Sequence, residues 1–548
     1  MRVVRSVLGV LLALVGLIVG LAGAAAAFWV IGPDDTVRSD VQHLNSKGLA
    51  IASAPDLLDR HGPVLHVDAT AADGKPVFVG VARDLDVASY LKSSSYTRLV
   101  QVKYPIALDT EARKGGSQPL AAPDSLDWWV ARSTGAGTQS IAWPIADGPY
   151  DVVIMKADGR PGADVQVHLG IEIPHAFTTA LGVLVLGLLL LAGGLLLILV
   201  RRRPAAPGPL VTASDHRSPE VKATVGPLRR VAVATTVVAL VSGCAAVPEA
   251  NTVDSLTRPA VTTESGVSVV KHYNQVNNAA NRRRDDKLLA TVEGGDLLRE
   301  SRAGYTIERA LKQKPTAPFS YTNPVIAAPE YGSYPMRFVM SSGLSSGKDY
   351  RSLGLWERAA AGSPWIHTFS VGPKATTKIP DLTGLRAAVP GDNAKLAVAP
   401  QAAATALAQY LTAGAKSPRA ALFAPDQAIT GLLKDVAADK AMVVKQPAAY
   451  HDVTADFSVD TPPATFVTKS GQALVLATLT DQLRLTIGPG YTFEWNSGHE
   501  TAFSAGGKYT NYLSRTRLHD VALVVPAKGG GKIRVLALDT QVVDAGGY

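Results

Sequence analysis

Two uncharged apolar stretches set the architecture of this chain. Arg5 is the last charge before a run that reaches Pro33, with its apolar centre from Val7 to Ile31. A second run, Ala176 to Val200 (AFTTALGVLVLGLLLLAGGLLLILV), ends against Arg201, Arg202 and Arg203. Each exceeds the roughly 20 residues a helix needs to cross the hydrocarbon core, so both are candidate membrane spans. With 548 residues, 47% hydrophobic and 18% charged, the chain is long enough for several domains and lies on the apolar side for a globular protein.

Lys and Arg near span ends are held on the cytoplasmic side, which fixes an expected orientation. Arg2 and Arg5 precede the first span, and Arg201 to Arg203, Arg217, Lys222, Arg229 and Arg230 follow the second. Residues 32–175 carry a net charge of about −5. The N-terminus and 201–230 are therefore expected inside, and 32–175 outside. These topogenic arginines supply part of the overall charge of +8, so that charge gives no case for a nucleic-acid partner. The partner implied is the lipid bilayer. LAGAAAA at 21–27 offers an A-x-A cleavage site, but the run continues through Phe28, Trp29, Val30 and Ile31. That is long for a signal h-region of about 7 to 15 residues, and an uncleaved signal anchor is the preferred reading.

A third run has the form of a signal peptide inside the chain. Arg229 and Arg230 precede a short apolar core, Val231 to Ser242, and the chain's single cysteine closes it. Val241, Ser242, Gly243 and Cys244 resemble the lipobox of bacterial lipoproteins. That resemblance implies lipidation of the Cys244 thiol, cleavage before it, and lipoprotein-processing enzymes as partners. The polar segment 245–262 then reads as a tether. Two other readings stand beside it: Cys244 as a small buried hydrophobe, or 231–248 as a short third span. One cysteine excludes an intramolecular disulfide, so the exported domains depend on their cores.

Region 32–175 is expected to be an all-β, sandwich-like domain. Apolar alternation recurs in PVLHVDA (63–69), PVFVGVA (76–82), TRLVQVKY (97–104), LDWWVAR (126–132), TQSIAW (138–143), YDVVIM (150–155) and DVQVHLGIEI (164–173). Asp-Gly pairs at 73–74, 147–148 and 158–159 punctuate these runs, because Gly accepts positive φ in tight turns. One helix, Asp84 to Leu91, interrupts them. VFVGVARDLDVASYL and WWVARSTGAGTQSIAWPIADGPYDVVIMKADG resemble uncharacterised actinobacterial membrane proteins over about residues 60–200. The resemblance implies an exported domain before a span, and no activity. Asp84 and Asp86 could be read as a calcium site, but an N-cap and first-turn pair is preferred. Trp128, Trp129 and Trp143 suggest core packing or a stacking platform, and strand alternation predicts that one of Trp128 and Trp129 points outward.

The C-terminal part is expected to be α+β, with helices before antiparallel strands, twice over. Helical spacing runs from Val267 to Lys312, followed by strand-like FSYTNPVIAAPEY, PMRFVMSSG, YRSLGLWERA and WIHTFSVG. After a Pro/Gly-rich linker at 373–396, helical AATALAQYLTAG and DQAITGLLKDVAADKA precede HDVTADFSV, ALVLATLTDQLRLTI, YTFEW, LHDVALVVPA and KIRVLALDTQVV. Units at 263–372 and 397–548 follow. Each resembles the cone of nuclear transport factor and ketosteroid isomerase, in which a curved sheet wraps a long helix. NQVNNAANRRRDDKLLATVEGGDLL also resembles the start of an uncharacterised domain of actinobacterial lipoproteins.

No catalytic motif, cofactor site or metal site is found. Isomerase chemistry needs a carboxylate base beside acidic donors, for which Tyr273, Tyr305 and Asp456 are candidates that sequence does not place in one cavity. HETAF at 499–503 does not complete H-E-x-x-H, and Gly529 to Lys532 reads as a turn between strands. Arg282, Arg283 and Arg284, beside Asp285 and Asp286, read as a solvated face. Two function classes remain, and the first is the preferred reading. One is a non-catalytic cell-envelope protein that binds or scaffolds an envelope protein or polymer. The other is an extracytoplasmic enzyme or small-ligand carrier using a cone pocket. A filled cone supports the first, and a deep pocket with buried carboxylates supports the second.

Overall fold

Both apolar runs are helical. Among the described residues of the first part of the chain, α1 (Arg2–Ala25) runs on as a π-helix through Ala26–Ile31, α2 (Asp84–Leu91) is short, and α3 (Ala176–Leu199) is the second apolar run. The computed structural model describes residues 2–58, 60–103, 107–200, 249–250, 253 and 256–548. It divides into two units, Met1–Leu256 and Thr257–Tyr548.

In the first unit, α1 and α3 are antiparallel. Arg5 Nη2 donates to Val200 O (3.3 Å) at one end, and Phe28 meets Phe177 edge-on (6.0 Å) at the other. Glycine lets the backbones touch: a Cβ at Gly187 would lie 2.2 Å from Gly20 N, and one at Gly194 2.5 Å from Ala13 N. Small residues at the contact and large apolar ones outside, such as Ile18, Leu21, Leu189 and Leu196, are the pattern of helices paired in lipid. Both are long and apolar enough to cross a membrane. Trp29, near the C-terminal end of the first apolar run, is 90% exposed, where amphipathic rings favour a headgroup layer. Asp35 accepts from Phe177 N (2.7 Å) and His175 N (3.2 Å), satisfying donors at the start of α3. Gly187→Leu is expected to lower the stability of the detergent-solubilised chain by roughly 1–3 kcal/mol through overpacking. Gly182→Leu, where an added Cβ meets nothing, should leave thermal unfolding unchanged.

The rest of this unit is sheet-rich. Thr36–Arg38, Ala163–Glu172, Val64–Ala71 and Gln139–Pro144 lie side by side in one sheet, with Gln42–Ser46 also on Ala163–Glu172. The second sheet runs Ala107–Arg113, Tyr96–Lys103, Ala50–Ser53, Tyr150–Lys156, Val77–Arg83 and Ala131–Gly135, with one parallel pairing, Ile51 to Thr97. Alternate residues of both sheets, including Val67, Val165, Val79 and Ile154, share one core.

Two expectations change here. Residues 126–130 form no strand. Trp129 packs with tilted rings against Trp128 (4.2 Å) and Phe78 (4.7 Å), and its Nε1 donates to Pro123 O (2.8 Å), so strand alternation does not operate and neither ring is a free outward platform. Trp143 packs in the core against Tyr150 (4.8 Å). Asp84 and Asp86 both stand in the first turn of α2, whose N-cap is Arg83 without a side-chain cap bond. Asp86 is fully buried, and burial followed by repulsion from Asp84 holds Asp151 well above the usual carboxylate range. Among the described residues, no group of three or more His, Cys, Asp or Glu could hold a metal ion.

The second unit begins with α4 (Thr263–Arg283), N-capped by Thr262, then α5 (Asp286–Leu289) and α6 (Gly295–Ala310). They cover a four-stranded antiparallel sheet of Tyr321–Ala327, Met336–Leu344, Gly347–Arg358 and Ile366–Val371. A second helix pair, α7 (Pro400–Ala413) and α8 (Gln427–Lys445), packs on a larger sheet centred on Ala473–Ile487, Tyr512–Val525 and Arg534–Gly547. Val475, Ala477, Leu479, Val521 and Leu523 face α7 and α8. The alternate residues Leu474, Leu476, Ala522 and Val524 face Val339, Leu353, Leu355 and Val371 of the first sheet. The sheets are thus back to back, which explains why these strands read as continuous apolar runs.

This corrects the expectation of separate units joined by a linker at 373–396. Leu382 and Leu385 of that segment lie in the shared core, and Arg386–Ala387 pairs with Phe466 and Val467. YTFEW also forms no strand beyond a single bridge, Phe493 to Tyr509.

Candidate functional site

A cavity of about 360 Å³ opens between α4, α6 and the first sheet, with residues 539–541 of the last strand at its rim. On α4, Tyr273, Asn277 and Asn281 recur at i, i+4 and i+8, so one helix face presents three buried polar side chains. Asn277 Nδ2 donates to Tyr273 Oη (2.8 Å), which donates to Glu293 Oε1 (2.7 Å). Tyr305 Oη, from α6, donates to Asn281 Oδ1 (2.6 Å). Tyr321 stacks on Tyr273 (5.6 Å), and Phe319 meets Tyr321 edge-on (5.5 Å). The wall is therefore aromatic with a polar seam.

Glu293 stands in the turn before α6 and is 3% exposed. Its Oε2 is buried without a hydrogen-bond partner. Burial pushes its carboxyl up to about 7, against the Tyr273 and Ser301 hydroxyls, which pull it down. Glu300, one turn along α6, also lines the cavity, with Asp539 beside it. Asp539 faces Asp520 across the strand ladder. Burial, and then repulsion from Asp520, Asp296 and Asp539, holds Glu300 well above the usual carboxylate range. Asp520 is raised too, first by burial, and its Oδ1 accepts from Thr478 Oγ1 (2.6 Å) while Oδ2 has no partner. The fourth lining carboxylate, Glu308, is satisfied by Arg284 Nε (2.8 Å) and by Thr316. Among the described lining residues there is no Lys, Arg or His.

Behind the aromatic wall, His367 is fully buried and stacked on Trp356 (3.9 Å), with neither ring nitrogen hydrogen-bonded. Burial lowers it to about 3, so it is neutral. The second half is different. Its interior holds Asp481 against Arg517 (2.7 Å), with His519 nearby and Arg515 paired to Asp439 (2.9 Å). Those charges are compensated within the fold.

Of the residues singled out from sequence, Tyr273 and Tyr305 meet in the cavity, whereas Asp456 is exposed on Tyr450–Ser458 and does not. Arg284 caps α4 in the left-handed region (φ 51°) and binds Glu308, which corrects the solvated-face reading at that position, while Arg282 and Arg283 are exposed. Gly529 and Gly531 take positive φ between the last two strands, as a turn requires, and Glu500 lies 3.6 Å from Arg515. Arg5 sits at the α1 end described above, and Arg2 begins α1. Val241, Ser242, Gly243, Cys244, Arg201, Arg202, Arg203, Arg229 and Arg230 lie outside the described residues. Sequence reasoning missed Asn277, Asn281, Glu293, Glu300, Asp520 and Asp539. The available signal was the polar stripe on α4 at helical spacing.

These features define a multidomain protein with two long apolar helices, a sheet-rich N-terminal unit and an α+β C-terminal unit. The chain belongs to the family of the domain of unknown function DUF8094, whose model matches residues 257–547. No curated protein and no solved structure matches it.

Proposed function

We propose that this is a membrane-anchored cell-envelope protein whose C-terminal unit binds a small ligand in the acidic, aromatic cavity. The reading rests chiefly on Glu293. A buried carboxyl oxygen without a partner costs folding free energy, and its position on a cavity wall gives it a use in binding. This favours a carrier over a scaffold, because a scaffold has no need of an open pocket with buried acids.

The location has separate support. The glycine contacts between α1 and α3 give α1 a structural partner, which favours a retained anchor over a removed leader. The antiparallel pair brings Arg5 next to Val200, consistent with both basic ends on the cytoplasmic side and 32–175 outside. Residues 245–548 would be extracytoplasmic if the Val241–Cys244 segment acts as a lipoprotein signal.

Gly304 provides the test of the pocket, because a Cβ there meets no atom within 4 Å. Gly304→Trp is expected to fill the cavity and abolish saturable binding of small molecules to the detergent-solubilised full chain. A panel of n-butylammonium, tetramethylammonium, butyrate and butanol, read by calorimetry, spans the chemical classes. Binding by any member that is lost in Gly304→Trp supports the pocket, and no binding by any member contradicts it.

A further inference from the structure

Which ligand would such a wall select? We infer that the cavity takes a small protonated amine, its ammonium N–H donating to Glu293 Oε2 and its alkyl body lying against Tyr273, Tyr321 and Phe319. The inference deepens the pocket reading above and rests on it.

Three observations converge. Glu293 Oε2 is buried without a hydrogen-bond partner on a residue that lines the cavity, so the ligand group that would satisfy it is a donor. Glu300 and Asp539 add further carboxyls, and among the described lining residues no cationic side chain neutralises them. Once Glu293 is ionised, an anion would meet repulsion here, and a neutral alcohol would leave that carboxylate charge unpaired. The aromatic faces attract a cation electrostatically while covering its apolar part. A quaternary ammonium satisfies the charge but carries no N–H for Oε2, which separates it from a protonated amine.

Glu293 is protonated in part near neutrality, so ammonium binding is coupled to its ionisation. The proton leaves to solvent, and the ammonium takes its place as the carboxylate's partner. The titratable groups around this exchange are Tyr273, Tyr305, Tyr321, Glu300 and Asp539, with neutral His367 behind Tyr273. Glu308 is already committed to Arg284.

The test uses the full chain in detergent and the four probes named above, as chloride or sodium salts at equal ionic strength. n-Butylammonium is expected to bind at least tenfold more tightly than butanol, butyrate or tetramethylammonium at pH 8. Glu293→Gln should weaken it at least tenfold, and nearly unaltered thermal unfolding of that variant at pH 5 serves as the folding control. Equal or tighter binding of butanol or butyrate, lost in Gly304→Trp, would overturn the amine inference and leave the pocket standing. Tetramethylammonium binding as tightly as butylammonium would overturn the N–H contact. No binding by any probe would overturn both readings.

Discussion

Glu293→Gln is expected to stabilise the protein at pH 8 by up to roughly 3 kcal/mol, and at pH 5 by less than about 1 kcal/mol. In the fold this carboxyl keeps its proton up to about 7, against an ordinary value of 4.5. Between those values the folded state holds more protons than the unfolded one, so stability falls as pH rises through that window and stays reduced above it. The favourable contribution is complete below 4.5, where both states are protonated. Gln cannot ionise and still offers an oxygen to the Tyr273 hydroxyl, so the loss at high pH disappears. Thermal unfolding of wild type and variant at the two pH values measures the difference. Equal destabilisation at both would mean that Glu293 serves the fold through its contacts and carries no buried charge.

Phe466→Ala is expected to cost about 3–5 kcal/mol and to destabilise both halves of the C-terminal unit together. Phe466 is 1% exposed and belongs to the core that the two sheets share, with Val339, Leu353 and Leu355 on the opposing face. Independent cones on a linker would lose stability only in the half that carries the substitution. Back-to-back sheets should unfold in one transition instead. Hydrogen exchange followed at Met336–Leu344 and at Tyr512–Val525 reports the two halves, and a drop in protection confined to the second would refute the shared core.

Local chemistry made much of this architecture legible. The run Asp84 to Leu91 forms the expected helix, ALVLATLTDQLRLTI is the strand Ala473–Ile487, and LHDVALVVPA falls largely on Tyr512–Val525, which starts six residues earlier than expected. What could not be read was whatever depends on distant contacts. Leu382 and Leu385 lie in a segment punctuated like a linker, and only the opposing sheets make them core residues. Trp128 and Trp129 sit in a strand-like pattern that Trp129's contacts with Phe78 and Pro123 override. The site suffered most. Glu293 stands in a Gly-rich turn, Glu300 on a helix and Asp539 on the last strand, so no spacing connects them before the chain folds. Tyr273, Asn277 and Asn281 were the exception, since helical periodicity alone aligns them on one face.

Glu293 is proposed to hold an exchangeable proton in an open acidic cavity. Carbon-13 NMR of glutamate carboxyls in the full chain, with Glu293→Gln for assignment, tests it most directly. Glu293 is expected to titrate near pH 7 in the free protein, and saturating n-butylammonium should move that titration clearly downward. A Glu293 signal that titrates at its ordinary value and does not respond to the amine would contradict the claim.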